Sequence, residues 1–305
     1  MCCLPCPIEA LRWVFVGPRA QRVGGDRCTK DPRDPFHEAA FATDPMSRTP
    51  SDDRTAPAAI DAIGLRLIKR TALFLLGPLY FLFVAFVPLL CSNRRGFRGW
   101  YWRLVKRACS RLLWLLSIRT EMTQADVATL AADTDSIIVI NHRSHLDGFA
   151  LMDALPDAKW ITFAAKQELC NAALLRRGFK GAGLVEVDRK SGSVALETLT
   201  TAVQDMPARS SVVLFPEGTR TGSESLGAFK AGAVLVARAT GRSIRPIVIH
   251  DTGRLLPRGK HLPKSGTIRV EVLPSFVCDL TATVDEDVSR LREGMMAAFD
   301  AGAQR

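Results

Sequence analysis

From residue 135 onward, short aliphatic and β-branched runs alternate with segments of helical periodicity, and this alternation restricts the fold more than any other feature. Strands are expected at 136–140, 160–164, 184–187, 211–215, 244–250 and 267–273, and helices at 148–155, 193–206, 228–240 and 284–300. In the second of these helices Leu196, Leu199, Val203 and Met206 share one face. Strands separated by helices pair in parallel, because a parallel neighbour needs a long crossover, and the helices then cover the sheet. The expectation is an α/β fold over 121–305: a mixed, mostly parallel sheet flanked by helices. It is preceded by an N-terminal membrane-associated helical segment at 59–120 and a disordered extension at 1–58.

Residues 1–58 carry no sustained periodicity and are rich in Pro, Asp, Arg, Thr and Ser, the composition of a chain that cannot bury a core. A signal peptide is not expected, since the apolar run 11–16 is short and interrupted by Arg12. Met46 offers an alternative start. Residues 72–91 differ sharply: twenty residues without a charge, long enough at ~1.5 Å per residue to reach across a hydrocarbon core of ~30 Å. Pro78 and Pro88 imply a kinked or re-entrant helix. Arg66, Lys69 and Arg70 precede it and Arg94, Arg95 and Arg98 follow, so the positive-inside rule assigns no orientation. Spanning, dipping and hairpin arrangements all stay open. Next, Arg103, Lys106, Arg107, Ser110 and Arg111 form one helical stripe, with Trp100, Leu104, Ala108, Leu112 and Leu115 largely opposite. Between residues 92 and 120 there are eight basic residues and no acidic one, the pattern of a helix lying in an anionic interface. The plainer alternative is a buried core helix followed by an ordinary amphipathic one.

The chain carries 41 Lys and Arg against 31 Asp and Glu, a formal charge of +10, which points to a polyanionic partner. Much of that charge lies beside the apolar run, which favours an anionic membrane surface and phosphorylated substrates over nucleic acid. Of eight cysteines, Cys2, Cys3, Cys6 and Cys28 cluster near the start with no second pair at finger-like spacing. Cys91, Cys109, Cys170 and Cys278 are scattered among apolar neighbours as small hydrophobes. Neither a disulfide framework nor a metal site is expected.

Two short motifs carry the chemistry. Asn141-His142-Arg143-Ser144-His145-Leu146-Asp147 follows one expected strand, and Phe215-Pro216-Glu217-Gly218-Thr219-Arg220 follows another. An alcohol becomes a competent nucleophile when a base takes its proton, and histidine titrates in the useful range. A carboxylate on the second ring nitrogen fixes the tautomer. On an ideal helix His142 and Asp147 would diverge by about 140°, so their pairing requires a strand-to-helix turn, for which Gly148 leaves room. A metal reading of His142, His145 and Asp147 competes, but the spacing differs from that of metallo-hydrolases, and His37, His250 and His261 form no second cluster.

These motifs resemble the first and third signature blocks of the lysophosphatidic acid acyltransferase family, within the glycerolipid acyltransferases. Gly183-Leu184-Val185-Glu186-Val187-Asp188-Arg189 resembles the second block and Ile244-Arg245-Pro246-Ile247-Val248 the fourth, in order over roughly 135–275. The resemblance implies His142 as general base and Asp147 as its orienting partner. It implies that Arg189 and Arg220 bind the acceptor's phosphate, that Glu217, Gly218 and Thr219 belong to the acceptor site, and that Pro246 lies on the donor side or in packing. Two positions depart from the family pattern: no Pro follows Lys166-Gln167-Glu168-Leu169, and Glu186 stands where an aromatic or aliphatic residue is commoner. The implied reaction needs no cofactor. Acyl-CoA or acyl-carrier protein donates a fatty acyl group, and the acceptor is a membrane lipid, 1-acyl-sn-glycerol 3-phosphate, giving phosphatidic acid. The implied location is a bacterial inner membrane, with the catalytic domain on the cytoplasmic side. Alternatives are another lysolipid acceptor such as a lyso-ornithine lipid, a non-catalytic lipid-binding adaptor, or a metal-dependent hydrolase.

Overall fold

The computed structural model describes residues 97–166, 184–187, 192–221 and 225–303, together with isolated positions at 64, 67, 68, 71, 75, 77, 86 and 87. The expected disordered extension and most of the uncharged run 72–91 lie outside the described residues. Among the described residues no helix is long and apolar enough to cross a membrane.

Seven strands form one sheet: β1 (Ile118–Met122), β2 (Ile137–Ile140), β3 (Trp160–Lys166), β4 (Val185–Val187), β5 (Ser210–Leu214), β6 (Ile244–Ile249) and β7 (Gly266–Val272). Their spatial order is β1-β7-β6-β2-β5-β3-β4. Five neighbours, β6 through β4, run parallel; β7 is antiparallel to β6 and parallel to β1. The sheet is thus mixed and mostly parallel, and helices cover it.

The central strands bury both faces, which is why they read as continuous aliphatic runs. In β2, Ile138 and Ile140 enter one hydrophobic cluster while Ile137 and Val139 enter the other. The first cluster is closed by helices α1 (Phe97–Leu115) and α3 (Leu146–Ala154), the second by α4 (Gly192–Gln204), α5 (Gly232–Thr240) and α7 (Val284–Ala303). Two smaller helices, α2 (Gln124–Ala132) and α6 (Thr252–Leu255), complete the set. Helix α2 starts at Thr123, whose hydroxyl accepts the N–H of Asp126 at 3.1 Å.

Helix α1 packs differently from the expected interfacial helix. Cys109 and Leu113 are buried, and Trp102 and Val105 pack against the same cluster. Its innermost row is therefore Trp102-Val105-Cys109-Leu113, one step around from the expected stripe. The apolar arc is two rows wide, and the core takes the row nearest α3. Arg103, Arg107, Arg111 and Trp114 remain exposed on the outer side.

At the opposite end of the strands lies a buried ionic knot. Lys159, fully buried, donates to Asp133 Oδ1 at 2.6 Å, while Ser136 Oγ (2.7 Å) and Arg245 Nε (3.1 Å) donate to Asp133 Oδ2. Burial would raise the Asp133 carboxyl, but Lys159, Ser136 and Arg245 outweigh it and hold the group at about 2. Lys159 is pushed down, because burial penalises its ammonium more than Asp133 compensates. The knot ties the loop before β2 to β6 and to the residue preceding β3.

Candidate active site

Parallel strands release their loops at one edge, where α/β folds place their sites. Here β2 ends into Asn141-His142 and neighbouring β5 ends into Phe215, so both motifs emerge side by side. Asn141 is fully buried and locks this edge: its Nδ2 donates to Ile249 O at 2.9 Å, and its Oδ1 accepts the Ile249 N–H at 2.7 Å.

His142 Nδ1 lies 2.9 Å from Asp147 Oδ2; the imidazole is 22% exposed and the carboxylate fully buried. The intervening residues make a loop rather than a helix, which begins only at Leu146. Asp147 shapes that loop, since the same Oδ2 accepts the backbone N–H groups of Arg143 (2.8 Å) and Ser144 (2.9 Å). A carboxylate in the first turn of α3 is also favoured by the helix dipole. Ser144 Oγ adds a tether to Leu256 O at 3.0 Å. The imidazole packs against the Phe215 ring, 4.1 Å between centroids. With Nδ1 engaged by Asp147, Nε2 is the nitrogen that can take a proton.

Glu217, expected at the acceptor site, lies between the two motifs. It is buried, and its Oε1 accepts the His142 N–H at 2.9 Å. Its Oε2 accepts Thr221 Oγ1 at 2.8 Å and Gly227 N–H at 3.0 Å. Thr221 N–H in turn donates to His142 O at 3.1 Å. The carboxylate thus stitches the two motifs together from inside. Thr219 is exposed on the same turn, and Gly218 adopts φ +71°, a conformation that disfavours any side chain. Arg220 is half-buried, and its charge reaches His145: desolvation first, then Arg220 and His142, push that histidine below its usual value. Arg189 falls two positions beyond Val187, the end of β4, and lies outside the described residues. Pro246 is buried in β6, opposite Val139 of β2, a packing position.

A cavity of about 430 Å³ opens at His142 and runs between α1, α3 and β3. Its walls include Trp102, Val105, Cys109, Met152, Phe163 and Phe215. Burial pushes the Tyr101 phenol and the Cys109 thiol, both on the wall, up to about 12. The cavity is lined mainly by apolar side chains, with His142 among the residues that line it. Among the described residues no group of three or more His, Cys, Asp or Glu side chains could hold a metal ion.

Sequence reasoning anticipated the His142–Asp147 contact but not the residues that hold it. Asn141, Phe215, Thr221 and Gly227 act across 4–108 positions of chain. Motif membership could have pointed to Asn141 and Phe215; nothing local marks Thr221 or Gly227.

The His142–Asp147 pair, the apolar cavity and the turn that carries Arg220 lie together at this edge of the sheet. Residues 121–250 match the family model described as Acyltransferase. Among curated proteins, the chloroplastic 1-acyl-sn-glycerol-3-phosphate acyltransferase of Arabidopsis thaliana is 30% identical over 141 residues, 46% of this chain and 39% of that protein. The human 1-acyl-sn-glycerol-3-phosphate acyltransferase alpha is 27% identical over 228 residues, 73% of this chain and 78% of that protein. The chain thus spans well under two thirds of the Arabidopsis relative. Among solved structures, the 1-acyl-sn-glycerophosphate acyltransferase PlsC of Thermotoga maritima shares the fold, with a TM-score of 0.63 at 20% identity over 81% of this chain and 98% of that one.

Proposed function

We propose that the protein is a membrane-associated O-acyltransferase that moves a fatty acyl group from an acyl-CoA or acyl-carrier-protein thioester to the free hydroxyl of 1-acyl-sn-glycerol 3-phosphate. The observation that carries this reading is the His142–Asp147 pair, whose imidazole lines the apolar cavity. The fatty chain lies in the cavity with its thioester carbonyl at His142. The acceptor hydroxyl gives its proton to His142 Nε2 as its oxygen attacks the carbonyl carbon. The tetrahedral intermediate collapses, the C–S bond breaks, and the thiolate recovers the proton from the imidazolium. Asp147 stabilises that imidazolium and holds its orientation. A thiolate leaves readily, so direct transfer suffices.

Arg220, together with Arg189, which lies outside the described residues, is assigned to the acceptor's phosphate, whose oxygens match a guanidinium fork. Membrane association is supported by the uncharged run 72–91, by the exposed Arg103, Arg107 and Arg111, and by the lipid character of substrate and product.

The test is an assay of the full chain with a panel of lysolipids and both donors, measuring released thiol and acylated product. Phosphatidic acid formation from lysophosphatidate with at least one donor is expected. Acylation of a phosphate-free lysolipid in preference to lysophosphatidate would overturn the acceptor assignment, and no thiol release with any pair would overturn the reaction.

A further inference from the structure

We propose that Lys230 is a second cationic ligand for a phosphate monoester, acting with Arg220 on the Glu-Gly-Thr-Arg turn. The proposal rests on the reading of the substrates as phosphate-bearing, and it adds a residue that lies outside all four signature blocks.

The placement comes from Gly218. A Cβ on that glycine would lie 2.9 Å from both Cε and Nζ of Lys230. The ammonium therefore lies across the bare face of Gly218, where any other residue would put a side chain. The backbone of Lys230 is fixed in turn, its N–H donating to Pro216 O at 2.8 Å. The turn itself is anchored to the base at both ends: Phe215 packs on the imidazole at 4.1 Å, and Thr221 N–H binds His142 O at 3.1 Å. Residues 218–220 form the arc between those anchors, so a group bound on the arc sits next to the proton-abstracting site.

The charge pattern says what the arc is built to receive. Glu217, the acid of the turn, points inward and has both oxygens occupied by His142 N–H, Thr221 Oγ1 and Gly227 N–H. It neutralises neither cation. Several other cations of the domain have acids: Lys106 has Asp157, Lys159 and Arg245 share Asp133, and Arg238 and Arg290 share Asp287. Among the described residues, Lys230 and Arg220 form no such ion pair. Arg143 is drawn away, its guanidinium donating to Ser225 O at 3.0 Å and lying over the Phe299 ring. A cation over Gly218 and another two residues beyond that glycine in the chain, neither in an ion pair among the described residues, suit a dianion: Arg220 can grip two oxygens, and Lys230 supplies a point charge. Both the acceptor lipid and coenzyme A carry a phosphate monoester, so the ligand chemistry is shared and the source is decided by experiment.

The variants are Lys230→Met, which keeps the stem over Gly218, and Lys230→Arg, which restores charge. Because Lys230 is exposed, both should fold with unchanged Tm. Inorganic phosphate should raise the Tm of wild type more than that of Lys230→Met, with Lys230→Arg intermediate. In steady state, Lys230→Met should raise the KM for lysophosphatidate by about tenfold to a hundredfold, the range for one charge-assisted hydrogen bond, with little change in kcat. A rise confined to the acyl-CoA KM would assign the site to the donor's phosphate. Equal phosphate protection of wild type and Lys230→Met, with both KM values unchanged, would overturn the proposal. Should wild type use no lysophosphatidate at all, the functional reading fails while the phosphate-protection comparison still decides Lys230.

Discussion

Glu217→Gln separates two roles for a motif carboxylate. If Glu217 contacts the acceptor, the amide should weaken acceptor binding and leave the fold alone. The hydrogen bonds favour a bracing role between the base loop and the Phe215 turn. A glutamine has one acceptor oxygen and one NH2, so an NH2 must face either the His142 N–H or the Gly227 N–H. Thr221 can rotate its hydroxyl to accept; the two backbone N–H groups cannot. One buried N–H therefore loses its acceptor and meets another donor, at a cost of about 2 kcal/mol. For a domain of this size that lowers Tm by about 4–8 °C. The loops must also part slightly, and a displacement near 1 Å costs about 10²-fold when reacting groups must align. The measurements are a thermal melt and full steady-state kinetics on the purified variant. A lowered Tm and a kcat reduced by about tenfold or more, with a nearly constant acceptor KM, are expected. An unchanged Tm with a raised acceptor KM would refute the bracing role.

Asp147→Asn should lower kcat by about 10²–10⁴, because the amide no longer fixes the imidazole tautomer or stabilises its cation; single-turnover transfer from acyl-CoA measures this. In the buried knot, Asp133→Asn should cost about 3–5 kcal/mol in urea unfolding, since it strands the Lys159 ammonium in the interior. Lys159→Met should cost less, because Arg245 and Ser136 still hold the carboxylate; the reverse order would contradict this. The Asp133 carboxyl lies lower in the folded state than its unfolded value near 4, so its contribution is complete above pH about 4 and is lost as pH falls through about 2. It amounts to about 2 kcal/mol, and Asp133→Asn should flatten that acid limb. Val105→Phe should narrow the cavity beside α1 and shift preference toward shorter acyl chains by about fourfold per methylene, read by competition among saturated acyl-CoAs.

The parts of the fold most legible in the sequence are those buried on both faces. β2 shows as a continuous aliphatic run and β5 and β6 as shorter ones, because these strands are largely buried on both faces. β1 reads Ile-Arg-Thr-Glu-Met with only Ile118 buried, and an edge strand so polar carries no periodic signal. The start of α2 was available in principle, as Thr123 with Asp126 three residues on is a capping pattern. α3 begins two residues before the expected position because Asp147 folds back onto the amides of Arg143 and Ser144. The His142–Asp147 pairing was legible in the motif, since their relation is local. The role of Glu217 was not legible, because its partner lies 75 residues away. Lys159 gave no sign of full burial either, its acid being 26 residues distant.

The most direct measurement is the rate of thiol release and phosphatidic acid formation by His142→Ala, with lysophosphatidate and a saturating thioester. The imidazole is partly exposed, so the variant should melt near wild type, while kcat falls by at least about 10²-fold. A folded His142→Ala protein that turns over near the wild-type rate would contradict proton abstraction by His142.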